Sequence, residues 1–172
     1  MPLSPEDLLA RLDALGIAAV THRHAPVFTV AESQALRGAL PGGHCKSLFL
    51  RDKLGGFWLA VMQEHRRVSV NALARALAAP KMSFASAEEL MAELGVIPGA
   101  VTPFGLANDT RHRVTPVLDA EMLAIDPLNY HPLDNAMTTA IAPGGLLAFI
   151  AACGHRPRIV ALDPLDAGMA LP

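Results

Sequence analysis

The apolar residues of the chain recur at two periods, and the switches between them mark out its elements. Leu8, Leu12 and Leu15 repeat at helical spacing behind Ser4-Pro5-Glu6-Asp7, and Gly16 supplies the stop. There a serine can accept from an orphan amide, a proline takes the first helical position and an aspartate faces the positive helix end. Ile17 to Arg23 reads as a strand and Val30 to Leu36 as a short helix. Leu40-Pro41-Gly42-Gly43 is loop chemistry that delivers the chain to His44-Cys45-Lys46-Ser47. Leu48-Phe49-Leu50 and Phe57 to Met62 flank Lys53-Leu54-Gly55-Gly56, which predicts a hairpin with Lys46 entering its first strand.

Asn71 to Ala79, rich in alanine and leucine and closed by Pro80, predicts a helix. Ser86-Ala87-Glu88-Glu89 has capping-box spacing ahead of Leu90, Met91 and Leu94, with Gly95 as the stop. Val96 to Gly105 alternates small apolar residues with two prolines and two glycines, which predicts a shaped loop that a ligand can approach closely. Val114 to Leu118 reads as a strand whose Pro116 suggests an edge or a bulge. Met137 to Ala142 reads as a strand, Pro143 to Cys153 as a helix ended by Gly154, and Arg158 to Leu162 as a last strand. Helices and strands mix without a strict βαβ rhythm. The expected fold class is therefore α/β, one domain over residues 1–165 built on a curved, barrel-like mixed sheet covered by helices, with a short tail from Asp166 to Pro172.

Composition narrows the function classes. Hydrophobic residues make up 52% of the 172 and charged ones 17%, so a chain of this size can bury roughly 70% of its unfolded surface with no staple. Fourteen Lys and Arg against sixteen Asp and Glu give a net charge of -2, which argues against a polybasic binder of long nucleic acid and leaves a short nucleic-acid end open. Cys45 and Cys153 make neither a disulfide framework nor a zinc pattern, which fits a reducing cytoplasm. No apolar run has the length of a membrane span, and the first residues lack a signal-peptide pattern, so a cytoplasmic location without membrane association is expected.

Three features carry chemistry. Only three of the cations are lysines, and Lys46 opens an apolar strand, where it reads either as a snorkelling side chain or as the partner of an anion. Gly99-Ala100-Val101-Thr102-Pro103 is too poor in charge for an ordinary surface turn and reads as a small apolar pocket wall. Tyr130-His131-Pro132-Leu133-Asp134-Asn135 brings an imidazole and a carboxamide into irregular chain. Cys45 raises the question of a thiolate nucleophile, but strand alternation sets it on the face opposite Lys46, and a small buried residue is the plainer reading. His22 and His24 share a face if their segment is a strand, yet two imidazoles fall short of a metal site, so no metal and no cofactor is called for.

Taken together, Lys46-Ser47-Leu48-Phe49-Leu50, Gly99 to Leu106, Asn108-Asp109, and His131-Pro132 with Asn135 and Thr138 resemble, in order and spacing, the YbaK and prolyl-tRNA-synthetase-associated editing domains, most nearly the free-standing ProXp-ala type. The resemblance covers nearly the whole chain. It implies a deacylase that hydrolyses mischarged alanyl-tRNA for proline to alanine and free tRNA through a positioned water, with no side-chain nucleophile. Carried over residue by residue, it assigns catalytic roles to Lys46, Gly99 and His131. Val101, Pro103, Phe104, Gly105, Leu106, Asn108, Asn135 and Thr138 would bind substrate. The implied partners are the tRNA acceptor end and a prolyl-tRNA synthetase. The arginine pairs 66 and 67, 111 and 113, and 156 and 158 are candidate phosphate contacts. The alternatives are the same fold acting on cysteinyl- or seryl-tRNA, and a non-catalytic module that grips the acceptor end or a synthetase.

Overall fold

Ser4 starts the first helix as its sequence requires. Its Oγ accepts from the Asp7 amide at 3.0 Å and the Asp7 carboxylate returns to the Ser4 amide, closing a capping box on α1 (Pro5–Ala14). The same device opens α3 (Ala87–Leu94), where Ser86 and Glu89 exchange bonds and Gly95 ends the helix in the left-handed conformation. The other elements are β1 (Ala19–Arg23), β2 (Gly43–Asp52), β3 (Phe57–Gln63), α2 (Val70–Ala76), β4 (Met82–Phe84), β5 (Val114–Asp119), β6 (Leu128–Tyr130), β7 (Met137–Ile141), α4 (Pro143–Ala152) and β8 (Arg158–Val160). Two 3-10 turns, Pro103–Asn108 and Met122–Ala124, complete the set. This computed structural model describes residues 1–26 and 40–162, so the helix expected over residues 30–36 and the tail from Asp166 lie outside the described residues.

The strands form one mixed sheet in the order β1-β7-β6-β2-β3-β5-β8, with β4 paired to β2. Among the described residues it stays open, with β1 and β8 at its edges, so the barrel-like expectation is corrected to an open mixed sheet. Pro116 lies inside the sheet without breaking the proline rule. β5 pairs with β3 from Val114 to Leu118, but β8 meets β5 only from Val117 onward, and one side of the strand is open at the proline. The loop expected through Gly105 ends earlier, because Thr102 Oγ1 accepts from the Phe104 amide at 3.2 Å and starts a 3-10 turn with Pro103 at its first position.

Strand alternation divides the interior in two. Phe49, Phe57, Leu59 and Val61 join Leu8, Leu12, Leu90, Leu94, Phe104 and Phe149 in a larger core under α1, α3 and α4. Leu50, Ala60 and Met62 face the other way, toward Leu73 and Leu77 at α2 and Met82 of β4. Among the described residues no helix is long and apolar enough to cross a membrane.

Candidate active site

β2 belongs to two half-sheets. Gly43 and His44 pair in parallel with Leu128 and Asn129 of β6, whereas Leu50 to Asp52 pair antiparallel with β4. Along the side of β2 away from β3, the residues between these pairings have no strand partner among those described. The joint is tight. Gly42 has φ +101, and a Cβ there would lie 2.3 Å from the Pro127 carbonyl oxygen, so only glycine fits. The Asn129 carboxamide clamps the turn, donating from Nδ2 to the carbonyls of Pro41 at 3.0 Å and Gly43 at 3.1 Å.

A cavity of about 50 Å³ opens beside this joint. Cys45 and Ser47 of β2, Glu64, Val101, Asn129 and Tyr130 of β6, His131 and Thr138 of β7 line it with His44. His131 follows β6 and is held by an Nδ1 contact to the Met137 carbonyl at 2.8 Å. A carbonyl oxygen only accepts, so Nδ1 carries the proton and Nε2 is the lone-pair nitrogen. Burial pushes the His131 pKa below the ordinary histidine value, with His24 adding to the effect and the Met137 contact opposing it, so the neutral ring prevails at neutral pH. Thr138 Oγ1 lies 2.8 Å from His24 Nε2.

Cys45 is not a thiolate here. Burial pushes its pKa up to about 12, against bonds from Tyr130 and the Asn129 backbone, and the thiol stays protonated.

Of the residues singled out in the sequence, His131, Val101 and Thr138 meet at this cavity. Lys46 does not line it. It lies between the cavity-lining Cys45 and Ser47, opposite Met62, and its ammonium donates to the Arg66 carbonyl. The expected convergence of Lys46 with the 99–103 loop is thus corrected by the alternation of β2. Gly99 is exposed at φ +92 in a turn where the Ala100 amide donates to the Ile97 carbonyl at 3.0 Å. Pro103, Phe104, Gly105 and Leu106 are buried beneath the site instead of walling it. Phe104 packs edge-on against Tyr130 and Phe149, with ring centres 6.1 and 5.3 Å apart, and a Cβ on Gly105 would meet the Leu94 backbone at 3.1 Å.

Asn108 is a structural tie. Its Oδ1 accepts from the Leu3 amide at 2.8 Å and its Nδ2 donates to the Leu94 carbonyl at 2.9 Å, beside a separate depression at the N-terminus. Asn135 is buried in the loop between β6 and β7. Arg66 is buried against Asp119, at 3.2 Å, and Glu121, which removes it from the candidate phosphate contacts. Arg113 pairs with Glu93 at 3.0 Å over the Phe57 ring, and Arg158 donates to the Leu77 carbonyl. Among the described residues no three His, Cys, Asp or Glu side chains stand close enough to share a metal ion.

Sequence reasoning passed over Ser47, Glu64 and Asn129 as lining residues. The parity of β2 identifies Ser47 once Cys45 is placed. Asn129 sits in a three-residue strand too short for any periodicity.

The comparisons with known proteins agree with this architecture. Residues 24–149 match the model of the aminoacyl-tRNA editing domain. The chain is 36% identical over 163 residues to prolyl-tRNA synthetase associated domain-containing protein 1 of Xenopus laevis, covering 92% of this chain and 96% of that one. It is 30% identical over 156 residues to the prolyl-tRNA editing protein ProX of Acetoanaerobium sticklandii, covering 90% and 95%. A crystal structure described as a candidate trans-editing enzyme for prolyl tRNA synthetase shares the fold, with a TM-score of 0.69 at 21% identity over 92% of this chain and 97% of that one.

Proposed function

The chain belongs to the aminoacyl-tRNA editing domain family, and on that premise we propose that it is a free-standing deacylase that hydrolyses mischarged alanyl-tRNA for proline. The observation that carries this reading is the small cavity of about 50 Å³ with a neutral imidazole on one wall and a valine on another. At roughly 10–15 Å³ of such volume per water, that is space for a few small groups, which suits an alanine methyl and a water better than a bulkier side chain.

The ester linking an amino acid to the terminal ribose is already activated, so positioning and charge stabilisation supply the rate and no covalent intermediate is needed. The Nε2 lone pair of His131 accepts a proton from the attacking water or holds the vicinal ribose hydroxyl that does so. With the Ala100 amide engaged by Ile97, the amides of Gly99 and Val101 are the ones the loop can offer to the developing oxyanion. Val101 closes the side-chain pocket. Lys46 takes the terminal phosphate from its place between Cys45 and Ser47, and Asn135 supports the His131 loop.

Selectivity has a physical rationale. A proline site cannot firmly reject a smaller amino acid, because each missing methylene is worth only about 10 to 200-fold, whereas a second and smaller site can exclude proline by size.

A deacylation panel of alanyl-, seryl-, cysteinyl- and prolyl-tRNA tests the proposal. Alanyl-tRNA for proline is expected to be released fastest and prolyl-tRNA left intact. Preference for the cysteinyl or seryl ester would move the substrate within the same fold. Binding of the acceptor end without release of any amino acid would overturn the enzymatic reading in favour of a gripping module.

A further inference from the structure

His24 lies just past β1, outside the cavity lining, and no step of the proposed reaction uses it. Its main chain is fixed by the sheet: the His24 amide donates to the Ala136 carbonyl at 2.9 Å, and His22 stands opposite Thr138 in the β1 and β7 register. Both ring nitrogens are engaged. Nδ1 is 2.7 Å from the Ala25 carbonyl, which can only accept, so Nδ1 carries the proton. In the neutral ring Nε2 is then an acceptor, and its partner at 2.8 Å is the Thr138 hydroxyl. The threonine has a single hydroxyl proton. Once that proton is directed to His24, the oxygen meets anything in the cavity only through its lone pairs.

We propose that His24 is a positioning residue that turns Thr138 into a fixed hydrogen-bond acceptor for the α-ammonium group of the bound aminoacyl ester. The ammonium is the donor that separates an aminoacyl ester from a plain acyl ester, whose own oxygens are acceptors. A hydroxyl free to rotate would serve either as donor or as acceptor, while one held by His24 prefers the cationic donor. His131, whose ring centre lies 6.4 Å from that of His24, faces the same cavity and is left with its own Nε2 lone pair for water or ribose.

The inference rests on the deacylase reading for the identity of the ligand, and a binding measurement separates the two. The probes are two non-hydrolysable amides, 3′-alanylamido-3′-deoxyadenosine and its des-amino counterpart with a propionyl group. They are titrated by calorimetry against the wild type, H24A, H24Q, T138V and the H24A/T138V double variant. The wild type is expected to prefer the alanyl compound by about tenfold or more, the range of a hydrogen bond to a charged group. T138V should abolish that preference and H24A should weaken it, each by losing more affinity for the alanyl than for the propionyl compound, and the double variant should do no worse than T138V alone. H24Q, whose side-chain oxygen accepts from Thr138, should keep most of the preference.

A preference that survives in T138V, an equal loss on both compounds, a double variant worse than T138V, or a wild type that binds neither compound or does not distinguish them overturns the inference. T138V changes little volume, so it carries the test if H24A does not fold. An amino preference that follows this pattern in a protein that releases no amino acid from any charged tRNA would sink the enzymatic reading and leave this one standing.

Discussion

Replacing Val101 by alanine tests the size filter most directly. The substitution takes two methyl groups from the wall of a cavity of about 50 Å³. Proline exceeds alanine by two ring carbons, so the space vacated matches the bulk that the wall is proposed to exclude. One methylene of fit is worth about 1–3 kcal/mol in such a pocket, so the ratio of kcat/KM for prolyl- over alanyl-tRNA should rise by at least about tenfold. The same change costs stability. Two methyls at about 0.8 kcal/mol each, on a side chain that is only half-buried, give roughly 1 kcal/mol, or a fall of about 2–4 °C in Tm for a chain of this length. Initial rates on the two charged tRNAs at subsaturating concentration, with a thermal melt alongside, separate the effects. An unchanged ratio together with the expected drop in Tm would mean that Val101 only packs, and the filter would have to lie elsewhere.

Further outcomes follow from the same geometry. Changing His131 to alanine should lower kcat by about 10² to 10⁴, the range of one general base, and KM much less. In the wild type the His131 pKa is depressed, so activity and this group's stabilising contribution should both hold above the ordinary histidine value near about 6.5 and fade as pH drops through the lower folded value; a pH–rate profile that declines well above 6.5 would exclude it as the base. Asp109 is buried, where desolvation pushes its pKa up, yet His155 at 2.9 Å and the amides of Arg113 and Val114 hold it below the usual carboxylate value. Its contribution is therefore present above about pH 4 and lost as pH falls further, and D109N should cost about 3 kcal/mol, measured by denaturant melts; a cost below 1 kcal/mol would refute the clamp. K46A should raise KM and flatten the dependence of tRNA affinity on salt by about 0.7 in the log–log slope, one single-strand phosphate, and an unaltered slope would end its phosphate role.

The fold was largely legible because its signals are local. The serine caps at Ser4 and Ser86, the glycine stops at Gly95 and Gly154, and the continuous apolar run from Phe57 to Met62 each specify an element without help from distant chain. What escaped were the pieces that exist only through pairing. β4 and β6 are three residues each, and nothing in Met82-Ser83-Phe84 or Leu128-Asn129-Tyr130 specifies a strand until β2 is beside it. The site divides in the same way. His131, Thr138 and Val101 were found through motif order, whereas Pro103, Phe104, Gly105 and Leu106, in the same motif, proved to be buried foundation. A motif fixes which residues occur together and not which of them face the ligand; that depends on where the 3-10 turn begins, which the hydroxyl of Thr102 decides.

Lys46 shows what that distinction means for mechanism. The sequence singled it out as a cation in an apolar strand, and the structure places it half-buried on the face of β2 that it shares with Leu48 and Leu50, with its ammonium on the Arg66 carbonyl. Arg66 is itself anchored by Asp119 and Glu121, so the carbonyl that receives Lys46 sits in a braced corner. Ser47, one residue on, points into the cavity. Neighbouring residues of one strand thus point to opposite faces: Cys45 and Ser47 toward the cavity proposed to take the amino acid, and Lys46, proposed to take the phosphate, away from it. If that division holds, amino-acid selectivity and phosphate binding are separable properties. K46A should change salt dependence and KM while leaving the ratio of alanyl to prolyl turnover intact, and V101A should do the reverse. A K46A variant that moved both properties together would refute the division between the two faces of β2.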